Sequence, residues 1–122
     1  MTGADIVAVA KAQIGVKEQP AGSNRVLYNT WYYGREVSGA DFPWCMVFVQ
    51  WCYDQAGAKI PYKTASCTAL RDWAKSRGYW VTGNYLPGDI VIFCGSTSRN
   101  PAHTGIIVRQ VGSCIITVEG NT

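Results

Sequence analysis

The stretch Pro43-Trp-Cys-Met-Val-Phe-Val-Gln-Trp-Cys-Tyr-Asp-Gln-Ala-Gly57 holds the densest apolar segment of a 122-residue chain, and its reading decides the fold. Proline suits a first helical turn, because the N–H it lacks has no partner there, and Gly57 supplies a stop. These two marks predict a helix over Pro43 to Gln55. Between Trp44 and Tyr53 only Gln50 is polar, so the helix must be buried nearly all round. The longest uninterrupted apolar run, Trp44 to Val49, is six residues, far short of the roughly 20 that cross a bilayer. No membrane partner is expected.

Working outward, the two ends of the chain obey different periodicities. Toward the N-terminus, Thr2-Gly-Ala-Asp5 reads as a capping box. Ile6, Val7, Val9, Ala10 and Ile14 then recur at helical spacing until Gly15. Residues 16–40 carry Pro20, Gly22, Asn24, Gly34 and Gly39 and read as loop with one short helix. The cluster Tyr28, Trp31, Tyr32 and Tyr33 falls there, either as a satellite of the core or as a ligand-stacking wall. Toward the C-terminus a second short helix is expected from Thr68 to Arg77, with Gly78 as its stop. Beyond it the period shortens. Tyr79–Thr82, Ile90–Cys94, Thr104–Val108 and Ile115–Glu119 are β-branched or aromatic runs, separated by Pro87-Gly-Asp89, Ser96–Pro101 and Val111-Gly-Ser113. Helices first and consecutive strands later predict an α+β fold, N-terminal helices packed on a C-terminal antiparallel sheet. Length favours a single domain over residues 1–122.

Composition narrows the functional classes. Hydrophobic residues make up 48% and charged ones 16%, which excludes a disordered tail. A net charge of +3 without any basic run argues against a nucleic-acid partner. It suits a polyanionic surface or wall. Asp5 and Lys11 interrupt the first apolar stretch, so no signal peptide is read in the chain. The five cysteines, Cys45, Cys52, Cys67, Cys94 and Cys114, are odd in number and lack any C-x-x-C spacing, and His103 is the only histidine. Structural zinc is therefore not expected. Cys52 and Cys67 read as small buried apolar residues. Cys94 and Cys114 flank the His103 region and could pair across strands.

Cys45 reads differently. In the first turn of a helix, unpartnered N–H groups and the helix dipole favour an anion, so a thiol there ionises more readily than the usual value of about 8.5. Cys52 lies about 10.5 Å further along the helix axis, beyond the roughly 7 Å that a disulfide bridges between Cα atoms. The competing interpretation is a cysteine merely packed in an apolar helix. A nucleophilic cysteine needs a base, and the base needs an orienting acceptor. His103 opens the run His103-Thr-Gly-Ile-Ile-Val108, in which alternation places residues 103, 105 and 107 on one face. Gly105 leaves room beside the ring or for a close backbone. Glu119-Gly-Asn121 places two polar side chains two residues apart at the end of an apolar strand. Each element alone is ordinary. A helix-start Cys, a strand-start His and a strand-end Glu-x-Asn in that order form a specific combination.

That combination resembles the CHAP domain, the cysteine- and histidine-dependent amidohydrolase/peptidase fold related to papain and found in bacterial and phage cell-wall hydrolases. The matching pieces are Pro43–Trp51 with Ala56-Gly57, Pro87-Gly-Asp-Ile-Val-Ile-Phe93, His103–Val108 and Val118-Glu-Gly-Asn-Thr122, with Glu18–Asn24 similar to the loop after helix one in endolysin-type members. The resemblance implies a papain-like fold with Cys45 as nucleophile, His103 as base, Glu119 orienting the imidazole and Asn121 assisting polar positioning. It implies peptidoglycan as substrate, cut at an amide of the stem peptide, the cross-bridge or the sugar–peptide link. Trp44, Tyr28, Trp31 and Trp80 are the expected groove residues. Some members bind calcium through an acidic loop. No such cluster stands here, so neither metal nor other cofactor is expected.

In that family further strands normally follow the motif resembling Glu119-Gly-Asn121, whereas this sequence stops at Thr122. Three alternatives follow: a shortened chain, a sheet edge completed by another chain, or a minimal member. The implied location is extracellular or in the bacterial cell wall, and a phage origin fits the resemblance equally. Two other functions stand beside the hydrolase, namely a non-catalytic wall-binding module and a papain-like peptidase or toxin acting on another amide.

Overall fold

The computed structural model describes residues 3–81, 83–94 and 101–120. Four helices precede a three-stranded antiparallel sheet: α1 (Gly3–Ala12), α2 (Leu27–Tyr33), α3 (Cys45–Gln55), α4 (Cys67–Ser76), β1 (Ile90–Cys94), β2 (Pro101–Val111) and β3 (Cys114–Val118). The order β1-β2-β3 puts β2 in the middle. The α+β reading holds, with the helices N-terminal and the sheet C-terminal.

Helix α3 is the spine. Met46, Val47, Phe48, Val49 and Cys52 are all buried, as its unbroken apolar sequence requires, and each larger side chain contributes about 1.5–3 kcal/mol of transfer free energy. Gln50, its one buried polar residue, is satisfied by donating from Nε2 to the Tyr62 carbonyl at 2.9 Å. The helix packs against α1, α2 and β2. Ile6, Val7 and Ala10 of α1, Tyr28 of α2 and Leu70 of α4 close the same core, with Ile106 and Val118 from the sheet.

The turn Pro87-Gly-Asp89 pins three elements together. Gly88 donates its N–H to the Ile107 carbonyl and Ile107 donates to the Asp89 carbonyl, both at 2.8 Å. The Tyr53 hydroxyl of α3 donates to the Gly88 carbonyl. At the start of α1, Gly3 lies so close that a Cβ on Gly88 would come within 2.6 Å of its Cα. Gly88 also has φ +89°, a conformation that L side chains resist, so glycine is required there twice over.

Several expectations need correction. Tyr79–Val81 is not a strand, and Thr82 lies outside the described residues. Tyr79 instead donates its N–H to the Ala74 carbonyl at 2.9 Å and sets its ring 5.5 Å from Trp73, so finishing α4 outcompetes pairing. Helix α1 ends at Ala12, and Ile14, counted into its apolar stripe, is 72% exposed. The one short helix expected within residues 16–40 is α2, which carries the Tyr28–Tyr33 cluster and is closed by Gly34 at φ 75°. Strand β2 runs three residues beyond the expected Thr104–Val108 at each end, and its register shifts between Ile107 and Arg109. A two-residue turn, Gly112-Ser113, joins it to β3. Cys114 is a free thiol, so the suggested pairing with Cys94 does not occur. Their strands sit on opposite edges of the sheet, and two strand spacings of about 4.8 Å exceed the span of a disulfide. The Thr2 half of the expected capping box lies outside the described residues.

Candidate active site

Helix α3 begins at Cys45, with Trp44 as N-cap and no side chain capping it. The first N–H groups are therefore uncommitted by the helix, and one of them, that of Met46, is directed at the Cys45 sulfur. The thiol is held down to about 6 from an ordinary value of 9.0. The largest cause is a side-chain hydrogen bond from Cys67. The charge and hydrogen bond of His103 and the Met46 amide add to it, and partial burial opposes them. The sulfur is thus suited to exist as a thiolate at neutral pH, the nucleophilic form.

His103 lies near the start of β2, paired across the sheet with Phe93, whose ring stacks on the imidazole with centroids 6.1 Å apart. Its Nε2 is 2.9 Å from Glu119 Oε1. That contact engages one ring nitrogen and leaves Nδ1 for the sulfur. Both side chains keep some solvent access, 24% for His103 and 23% for Glu119. Glu119 follows β3 and is itself fixed, because Thr117 Oγ1 donates to its Oε2 at 2.6 Å. Gly105 makes the crossing possible. A Cβ there would sit 2.6 Å from Glu119 Cγ and 3.0 Å from the Val118 carbonyl oxygen. The space that the sequence suggested for the ring or for a close backbone is filled by the Glu119 side chain together with the Val118 carbonyl.

Cys45, His103 and Glu119 therefore form one connected chain of contacts, drawn from α3, β2 and the end of β3. Asn121 lies outside the described residues. Cys67 was read only as apolar filling, yet it is the largest influence lowering the Cys45 thiol. The available signal was its place immediately after Ser66, which caps α4 by accepting from the Ala69 N–H at 3.1 Å and so makes Cys67, like Cys45, a first helical residue. Thr117 gave no sequence signal beyond its position two residues before Glu119.

Of the four expected groove aromatics, Tyr28 and Trp44 share one cavity, while Trp31 and Trp80 lie on two others. Tyr28 is 1% exposed and packs on Trp44, Phe48 and Trp51, while Trp44 is 5% exposed and donates from Nε1 to Glu18 Oε1 at 3.2 Å. Both are core rings with only an edge on a cavity of about 610 Å³, which is lined also by Lys17, Glu18, Phe48 and Glu119. This cavity adjoins the carboxylate end of the site, and neither Cys45 nor His103 lines it. Trp31 borders a different hollow of about 180 Å³ with Lys63, and Trp80 a third of about 380 Å³ with Trp73 and Tyr79. Among the described residues no group of three or more His, Cys, Asp and Glu could hold a metal ion.

No curated protein and no solved structure matches the chain. A family model described as CHAP domain matches residues 37–121, more than half of the sequence and a span that contains Cys45, His103 and Glu119. A lowered thiol held against an oriented imidazole is the chemistry that this family's name describes, and the chain belongs to the CHAP family of cysteine- and histidine-dependent amidohydrolases and peptidases.

Proposed function

We propose that the protein is a peptidoglycan hydrolase that cleaves an amide of the stem peptide, the cross-bridge or the sugar–peptide link. The observation that carries this reading is the Cys45 sulfur, lowered to about 6 and facing an imidazole already fixed by Glu119. The Cys45 thiolate attacks the amide carbonyl, and the N–H of Cys45 itself stabilises the oxyanion. His103 gives its Nδ1 proton to the leaving amine. It then takes a proton from water, which attacks the thioester and frees Cys45. Glu119 Oε1 keeps the ring oriented and balances its positive charge through both halves. Asn121 assists polar positioning. No cofactor takes part in this scheme.

The wall as substrate is supported by the family and by the net charge of +3 beside a polyanionic matrix. The site of action is then extracellular, at the bacterial cell wall, whether the source is phage or bacterium. Among the described residues no helix is long and apolar enough to cross a membrane. The outer edge of β3 is unpaired among the described residues, and another chain could extend the sheet there.

The test is mass spectrometry of insoluble peptidoglycan after digestion by the parent and by Cys45→Ala. A new free amine on alanine with intact sugars identifies an amidase, and a cut within stem or bridge an endopeptidase. Cys45→Ala should lower release at least 10³-fold while its circular dichroism stays that of the parent. Equal release by the variant overturns the nucleophile. Binding to walls without release points to a non-catalytic module, and cleavage of casein with walls untouched to a peptidase of other substrates.

A further inference from the structure

We infer that Glu18 is a positioning residue of the active site, its carboxylate gripping the Trp44 indole and, through that ring, setting Cys45 against Glu119. The inference rests on Cys45 being the nucleophile and on Glu119 orienting its base.

Trp44 stands between the two ends of the site. It is the N-cap of α3, directly before Cys45, and its side chain makes no capping bond to the helix. The indole is enclosed instead, stacking on Tyr28 with centroids 5.5 Å apart and meeting Phe48 edge-on at 6.5 Å. The same ring meets the residue that follows Glu119. A Cβ on Gly120 would lie 2.8 Å from Trp44 Cζ3 and 2.9 Å from Phe48 Cγ, so that backbone rests directly on the two rings. One side chain therefore touches the neighbour of the carboxylate while its own backbone leads into the nucleophile.

Glu18 fixes this ring. An enclosed indole N–H needs an acceptor, and Trp44 donates from Nε1 to Glu18 Oε1 at 3.2 Å. The other oxygen, Oε2, accepts from the Asn24 N–H at 2.7 Å, so the carboxylate cannot leave the ring without giving up a second bond. Asn24 is anchored in turn. Its Nδ2 donates to the Gly39 carbonyl, and its own carbonyl accepts from Asn29 Nδ2, which also donates to the Phe42 carbonyl, all at 2.9 Å. The segment entering α3 is thus held at Gly39, Phe42 and Trp44. Only the tie at Trp44 grips a side chain that also bears on the Glu119–Gly120 backbone. A carboxylate accepts such a bond about twice as strongly as a neutral oxygen, and a reacting group misplaced by about 1 Å can lose roughly a hundredfold in rate.

The test reads Cys45 first without substrate and then with it. In the parent, alkylation of Cys45 by iodoacetamide should reach half its plateau near pH 6. In Glu18→Met, of similar length and without an oxygen, the midpoint should rise to about 6.5, making alkylation at pH 5 about threefold slower. On peptidoglycan kcat should fall about tenfold with KM constant. Trp44→Phe removes the donor and keeps a ring. It should give the same losses, and it stands in for the methionine variant if that one fails to fold. The double variant should be no slower than the slower single one, because both substitutions cut one bond. Additive losses overturn the proposal, since Glu18 would then act by another route. A raised KM with kcat intact overturns it as well, for it would make Glu18 a substrate contact. So does a folded Glu18→Met with parental alkylation and kcat. Alkylation needs no substrate, so uncleaved walls would count against the hydrolase reading and leave the positioning test standing. A parental alkylation profile in the variants would conversely leave the hydrolase reading intact.

Discussion

A single missing methyl group decides whether Glu119 reaches His103. The carboxylate crosses β2 above Gly105, and no side chain of any size fits beneath it. Gly105→Ala would force Glu119 Cγ away from a Cβ placed at 2.6 Å, breaking the 2.9 Å contact to Nε2 while leaving every catalytic atom in the chain. The imidazole then loses its orienting partner and the counter-charge for its protonated form. We expect kcat on peptidoglycan to fall roughly tenfold to a hundredfold, in the range of a displaced acid–base group, with little change in KM. Activity within twofold of the parent would show that the carboxylate is dispensable. At this scale the sequence was informative where chemistry is local. Cys45, His103 and Glu119 could be ordered from their places at element ends. Cys67 could not, because its effect on the Cys45 thiol depends on where the first residue of α4 falls relative to the first of α3, which no periodicity encodes. Tyr28 and Trp44 hold two roles at once, since both fill the core and both border the cavity of about 610 Å³ beside Glu119, a double use that no single letter announces.

At the scale of elements, the Pro87-Gly-Asp89 turn holds α1, α3 and β2 in register, and only one of its ties is a side chain. Tyr53 gives its hydroxyl proton to the Gly88 carbonyl from the far end of the helix that begins with the nucleophile. Tyr53→Phe removes that donor, leaves the ring in place and strands a carbonyl. It should lower the unfolding free energy by about 1–2 kcal/mol in urea titrations, and activity below the transition should be preserved. A variant of parental stability would mean that the turn is held by its backbone bonds alone. The helices and all three strands were readable from period and punctuation, since α3 is bounded by Pro43 and Gly57 and the strands by glycine turns. The false strand at Tyr79–Thr82 had the right composition. It failed because Tyr79 and Trp80 were already committed to Trp73 and Lys75 of the preceding helix.

For the molecule as a whole, the core carries ionisable groups that tolerate no charge. Burial pushes the Cys52 thiol up to about 12 from an ordinary 9.0, and the Tyr28 hydroxyl up to about 12 from 10.0. Both groups are fully enclosed, at 0% and 1% exposure. A raised thiol means that the unfolded chain releases its proton first. The stability linked to Cys52 is thus complete below about pH 9 and is lost as pH climbs toward 12. Between pH 8 and pH 10.5 the urea-derived stability should fall by on the order of 2 kcal/mol from this group alone. Cys52→Ala should be weaker at pH 8, because of the cavity it leaves, yet decline less steeply. Equal stability of the parent at the two pH values would contradict so deep a sulfur.

The thiolate is assembled from parts scattered along the polypeptide: Cys45, then Cys67, then His103, with Glu119 arriving last. A ribosome making this chain therefore releases a sulfur of ordinary temper first and its activators much later. Destructive chemistry is postponed by the order of the gene itself, since no partly translated product holds the imidazole before residue 103 has emerged, nor its carboxylate partner before residue 119.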